Sequence, residues 1–124
     1  MILIIGGAYQ GKLTWAVNEY GLCESSLYDL SGGMPESAHS CFYHLEALTK
    51  AAYKSGIGAN ELYSALSPFI GGSVVISREI GSGIVPIDAD DRAWREMHGV
   101  LLKMLAHDAD SVIRIFCGLP EVLK

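Results

Sequence analysis

The chain opens MILIIGGAYQGKLTWA, and this stretch restricts the fold more than any other part of it. Ile2-Leu3-Ile4-Ile5 has no polar face, so it suits a strand covered on both sides, as in a parallel sheet. The run passes directly into Gly6-Gly7-Ala8-Tyr9-Gln10-Gly11-Lys12. Leu13, Ala16, Val17 and Tyr20 then recur at i, i+3, i+4 and i+7, one face of a helix, and Gly21 stands where that helix would end. Strand, glycine loop and helix with a lysine at the turn form the pattern of a phosphate-binding loop. Glycines let backbone N–H groups wrap an anion at close range. The helix N-terminus adds free donors and a favourable dipole, and the lysine adds a mobile cation. The plainer alternative is a strand-to-helix turn carrying a solvated lysine. The last position of the pattern asks for a Ser or Thr to ligate magnesium, and Leu13 stands there. Thr14 lies about 100° further round the helix and is no substitute as a metal ligand, although its hydroxyl is within reach of an inner phosphate.

Strands and helices alternate through the rest of the chain. Residues 26–30 read as a short strand, 31–35 as a loop, 41–45 as a third strand and 46–54 as a helix. Ser55-Gly56-Ile57-Gly58 breaks that helix, which resumes over residues 60–66. Residues 74–77 form a strong strand. Asp88-Ala89-Asp90-Asp91 puts acids at a helix start, where cap and dipole favour them. That helix runs to about residue 107, with Trp94, Met97, Leu101 and Leu105 as its core stripe. Residues 112–116 are the last strand, ended by Gly118-Leu119-Pro120. The pattern predicts one α/β domain over residues 1–124, a mainly parallel sheet with helices on both faces.

With 50% hydrophobic and 19% charged residues, the chain is neither disordered nor long enough in its apolar runs to span a bilayer. No basic leader precedes the first strand, so a cytoplasmic protein is expected. A formal net charge of −5 argues against non-specific nucleic-acid binding, which rests on Lys and Arg. Cys23, Cys41 and Cys117 have the spacing of neither a disulfide framework nor a zinc site, and reduced, mostly buried thiols are expected. His44-Leu45-Glu46 echoes the H-x-E of zinc deaminases, but no P-C-x-x-C follows. His98 and His107 lie nearly opposite each other around their helix and cannot share a metal.

The segments VVISREIGSGIVP and DRAWREMHGVLLKMLAHDADSVIRIFCGLPEVLK resemble the adenosylcobinamide kinase/adenosylcobinamide-phosphate guanylyltransferase family of cobalamin biosynthesis. The family carries V-S-N-E-V-G-x-G-I-V-P, a following A-R-x-F-R-D-x-x-G-x-x-N-Q-x-L-A helix, and G-L-P-x-x-L-K near its end. Its G-G-A-R-S-G-K-S loop is similar to the opening here. The resemblance implies a P-loop NTPase-like fold and phosphoryl transfer from ATP or GTP to a corrinoid hydroxyl, with Mg²⁺ as cofactor and a homo-oligomeric state. It assigns Gly6, Gly7, Ala8, Tyr9, Gln10, Gly11, Lys12 and Thr14 to the nucleotide, with Lys12 and Glu79 in catalysis. Gly81, Gly83 and Pro86 match its second loop, and Arg92 and Arg95 match basic positions on the next helix. From the residues alone, Glu79 reads equally as a solvated carboxylate at a strand end. Arg92 and Arg95 read equally as helix charges paired with Glu96 and Asp91.

The departures from the family pattern are coherent. Leu13 replaces the loop serine, Arg78 the Asn before the acid, and Leu102-Lys103 the Asn-Gln of the helix. The family's second acidic motif should fall near Phe42-Tyr43-His44-Leu45, where no Asp stands. The span 29–41, where the family has a basic helix bearing a guanylyl-accepting histidine, holds no Lys or Arg, and its only histidine is His39. A histidine attacking a triphosphate needs nearby cations. The expectation is therefore lost guanylyl transfer and weakened magnesium chemistry. Two functions follow: a reduced kinase, or a binding protein that retains the phosphate loop without catalysis.

Overall fold

The computed structural model describes residues 1–80 and 88–124, so Gly81, Gly83 and Pro86 lie outside the described residues. The described elements run in the order β1 (Ile2–Gly6), α1 (Lys12–Tyr20), β2 (Leu27–Asp29), β3 (Cys41–Tyr43), α2 (Leu45–Lys54), α3 (Ala59–Ile70), β4 (Val74–Arg78), α4 (Ala89–Asp108), β5 (Ser111–Phe116) and β6 (Leu119–Val122). The strands form one sheet in the order β2-β3-β4-β1-β5-β6, parallel except for the last pair. β1 lies between β4 and β5, with Ile4 opposite Ile76 on one side and Ile113 on the other.

The two-sided apolar character of β1 follows from this central place. Alternation sends Leu3 and Ile5 to one face and Ile2 and Ile4 to the other. On one face α1 covers Ile4, Ile76 and Ile115 through Ala16 and Leu13. On the other, α2, α3 and α4 close over Phe42 and Val75 with Leu48, Leu62, Leu66, Leu101 and Leu105. The result is the expected three-layer α/β architecture, consistent with a P-loop NTPase-like domain.

Several boundaries differ from the sequence expectation. α3 continues to Ile70 through Pro68, because Leu62, Leu66 and Ile70 bury a stripe that outweighs the proline's missing donor. The third strand stops at Tyr43 and α2 starts at Leu45, with His44 between them at φ 62°. β5 is not the last strand. Cys117 and Gly118, at φ 51° and 75°, make the two positive-φ positions of a tight hairpin, and β6 returns antiparallel with Leu119 opposite Phe116. Pro120 is tolerated there because β6 is an edge strand.

The cysteines are free, but only Cys41 is buried, and burial pushes its thiol up to about 11. Cys23 and Cys117 are exposed, since one precedes a short 3₁₀ turn and the other sits at the hairpin tip. Along α4, Leu101 and Leu105 are fully buried as expected, whereas Trp94 and Met97 are only partly so. His98 on the same helix is completely buried, which the apolar stripe did not foretell. Among the described residues no helix is long and apolar enough to cross a membrane.

Candidate functional site

Open α/β sheets hold ligands outside the carboxyl ends of their parallel strands. At that end of β1, β3 and β4 lies a cleft of about 600 Å³. One wall is the β1–α1 loop and first turn of α1, from Ala8 to Thr14; the other is built from Ser31, Tyr43, His44 and Glu46, with Arg78 at the end of β4.

The loop is shaped by its own backbone. Gly11 caps α1 in the left-handed region at φ 83°, a conformation glycine adopts without strain. Tyr9 shares that hand at φ 59° and leaves its ring fully exposed. Lys12 Nζ donates to the Gly7 carbonyl at 2.6 Å, folding the amine back over the loop. Burial lowers the Lys12 pKa from the ordinary lysine value. Glu46 and Glu79 oppose that trend, and Arg78 adds to it. Gln10 anchors the loop from outside. Its Oε1 accepts from the Cys117 amide at 2.6 Å, and its carbonyl accepts from the Gly118 amide at 3.0 Å. The hairpin missing from the sequence expectation is thus what steadies the loop.

The facing wall carries groups that sequence reasoning did not assign to a site. His44 Nδ1 lies 2.9 Å from Asp29 Oδ1, and the same oxygen accepts from Ser31 N at 2.9 Å and Ser31 Oγ at 2.7 Å. Burial works against the Asp29 charge, but the two Ser31 donors and His44 outweigh it and hold the carboxyl below its usual range. Glu46, in the first turn of α2, accepts a long 3.4 Å contact from the Arg78 amide. A readable signal existed for these residues. His44 and Glu46 follow an apolar strand directly, and Arg78 ends another, the positions from which open α/β sheets build sites.

The cleft brings together Ala8, Tyr9, Gln10, Gly11, Lys12 and Thr14 of the predicted set. Gly6 and Gly7 lead into it; Gly6 is buried as the last residue of β1. Among the described residues its lining includes neither Glu79, Arg92 nor Arg95. The Glu79 amide continues the ladder onto Gly6 O at 2.8 Å, and its carboxylate lies 3.3 Å from Arg114 Nε on β5. Arg92 and Arg95 stand in the first two turns of α4. His39 lies at the opposite end of the sheet, just before β3, where its carbonyl accepts from Ser73 Oγ and its ring packs against Tyr28 and Phe42.

Among the described residues, the donor set of the cleft does not fit a magnesium ion. Leu13 packs into the apolar layer beneath α1 and offers no oxygen. Glu46 is the one carboxylate on the cleft wall among the described residues, and no group of three or more His, Cys, Asp or Glu is placed there to hold a metal.

Comparison with known protein families finds a match to cobinamide kinase / cobinamide phosphate guanyltransferase over residues 43–123, about two thirds of the chain. A search of curated proteins finds no match. The matched span begins beyond the Gly6–Lys12 loop, so it is independent of the glycine pattern. The fold is consistent with this match, and the chain belongs to the cobinamide kinase / cobinamide phosphate guanyltransferase family.

Proposed function

We propose that the chain is a nucleotide-binding phosphotransferase of cobalamin biosynthesis. In this reading the cleft takes the phosphates of ATP or GTP, and the terminal phosphoryl group passes to a corrinoid hydroxyl. The observation that carries it is the convergence of Lys12, Arg78 and the left-handed Gly11 turn on one cleft at the carboxyl ends of parallel strands. The loop amides and the N-terminus of α1 would receive the phosphate oxygens. The Lys12 amine would leave the Gly7 carbonyl for them, a mobile cation exchanging one acceptor for a more charged one. Catalysis would then be positioning plus charge stabilisation by Lys12 and Arg78. We further propose a cytoplasmic enzyme that has lost guanylyl transfer, since His39 lies at the far end of the sheet. Any magnesium would arrive on the nucleotide.

A second reading, nucleotide binding without catalysis, is favoured by Leu13 in place of an oxygen ligand. Calorimetric titration with ATP and GTP, with and without Mg²⁺, separates the possibilities when paired with an assay of transfer to cobinamide. Nucleotide binding is expected, and Lys12→Ala should weaken it at least about tenfold, the size of one or two lost charge-assisted hydrogen bonds. Absence of binding by the unaltered protein would end both readings. Binding without transfer would leave the second. Leu13→Ser is expected to make nucleotide affinity more dependent on magnesium; an unchanged dependence means that the helix start no longer presents that position to the metal.

A further inference from the structure

We propose that His44, oriented by Asp29, is the general base of phosphoryl transfer, taking the proton of the substrate hydroxyl as its oxygen attacks the terminal phosphorus. The inference rests on the function proposed above and adds to it the residue that handles the proton.

The geometry is that of a base held ready. An ionised carboxylate only accepts hydrogen bonds, so the 2.9 Å contact with Asp29 Oδ1 puts the hydrogen on His44 Nδ1. Nε2 is left with its lone pair, on a side chain that lines the same cleft as Lys12 and Thr14. The carboxylate is itself fixed by the amide and hydroxyl of Ser31. A base whose orienting partner is also oriented is the arrangement that general-base catalysis needs. His44 further occupies a left-handed backbone position at φ 62°, which is uncommon for a non-glycine residue. Its ring packs at 4.7 Å against Tyr43.

Of the carboxylates near the cleft, Glu46 lines it and accepts from the Arg78 amide, and Glu79 lies against Arg114; neither carries an imidazole toward the cleft as Asp29 does. The imidazole is about half exposed, so it is accessible to an incoming hydroxyl and is not a core residue.

The step balances without a further reactant. The substrate O–H bond breaks and its proton goes to Nε2, giving an imidazolium that Asp29 stabilises. The freed oxygen pair forms the bond to the γ-phosphorus of the nucleoside triphosphate. The bond from that phosphorus to the β,γ-bridging oxygen breaks, and the nucleoside diphosphate leaves with the electron pair.

The test uses the full chain with two variants, His44→Asn and Asp29→Asn. Asparagine tolerates the left-handed backbone better than most non-glycine replacements, so the first variant isolates the chemistry from the turn. His44→Asn is expected to lower kcat for transfer to cobinamide by about 10²- to 10⁴-fold, with nucleotide KM within about twofold. Asp29→Asn should lower kcat while leaving KM similarly unmoved. A His44→Asn kcat within threefold of the unaltered protein overturns the proposal, as does a covalent nucleotidyl or phosphoryl adduct on His44 by mass spectrometry. Nitrogen NMR of the unaltered protein with the non-hydrolysable analogue AMP-PNP gives a second readout that does not need the variants. A shifted His44 Nε2 signal supports the assignment. An unmoved Nε2 with a shifted Gly11 amide overturns it alone. If neither moves and no binding heat is seen, the nucleotide cleft itself is refuted and the inference with it.

Discussion

Acidification from pH 7 to pH 4 is expected to remove about 3 kcal/mol of folding stability through one side chain, His98. This imidazole is completely buried between three elements. Its Nδ1 lies 2.9 Å from Thr49 Oγ1 on α2, and its Nε2 lies 2.8 Å from Ser77 Oγ on β4. Thr49 already donates its hydroxyl hydrogen to Leu45 O at 3.0 Å, so it must accept from Nδ1–H. The Ser77 hydroxyl has both Nε2 at 2.8 Å and the Arg78 carbonyl at 3.2 Å within reach, and with its hydrogen on the shorter contact the neutral ring is satisfied on both sides. A second proton would replace that acceptor with a donor aimed at a hydroxyl, with no carboxylate bonded to either ring nitrogen. Burial accordingly lowers the His98 pKa from 6.5 to about 4. Between those values the unfolded chain binds a proton that the folded chain refuses. Stability is then fully present above about pH 6.5 and falls by about 1.4 kcal/mol per unit as pH drops toward 4. The lowered carboxyls of Asp29 and Asp110 begin to cost stability as pH falls through the ordinary carboxylate value of 3.8, so their window overlaps only the acid end of this one. Urea unfolding at pH 7, 5.5 and 4.5 would read the slope, with His98→Leu as control. In that variant Thr49 keeps Leu45 O and Ser77 can turn to the Arg78 carbonyl, 3.2 Å away. The neutral-pH cost should be about 1–2 kcal/mol, and the slope above pH 4.5 should largely disappear. An equal slope in the variant would assign the acid sensitivity to other groups.

The same histidine marks the limit of what the sequence discloses. The helix pattern of α4 was legible because Leu101 and Leu105 repeat with the turn, and a position one turn before Leu101 on the same face is read as apolar. A histidine there becomes intelligible only when Thr49 and Ser77, 49 and 21 residues away, are seen to meet it. β1, the glycine loop and α1 were legible for the opposite reason. Their signals are local, and periodicity and turn chemistry agree within 20 residues. β6 was missed because Pro120 argued against a strand, while the Cys117-Gly118 turn that reverses the chain puts an unusual non-glycine residue at positive φ. At the site, the motif predicted the Lys12 wall of the cleft. The wall carrying His44 and Glu46, with Asp29 behind His44, comes from the β3–α2 junction, α2 and the end of β2, which converge only through the parallel order of β2, β3 and β4.

Gly6→Ala should be the most damaging of the three loop-glycine substitutions, although the phosphate-loop pattern alone gives no reason to rank it above the others. A Cβ on Gly6 would stand 2.5 Å from the carbonyl oxygen of Ile115, too close for carbon and oxygen without displacement. The obstacle is main chain, and it has little room to yield. β5 pairs with β1 on one side and β6 on the other, and its hairpin is bonded to Gln10. Overpacking against such a neighbour belongs at the upper end of its usual range, about 3 kcal/mol, or roughly 10 °C in Tm for a chain of this size. Gly11→Ala meets nothing nearer than Gly118 Cα at 3.8 Å, so its cost is the left-handed backbone alone, about 1–2 kcal/mol. Gly7→Ala would contact only the Gln10 side chain at 3.6 Å and should stay within about 0.5 kcal/mol of the parent. Thermal melts of the three variants therefore order the glycines by cause. If Gly6→Ala melts with the unaltered protein, β1 and β5 are not packed as closely as described. If Gly7→Ala is the worst of the three, its cost must come from loop conformation and not from space. With the expected order, the first glycine of the motif is there to let β5 approach β1, and the last to turn the chain into α1. A phosphate pattern read as one feature thus separates into a packing requirement and a backbone requirement.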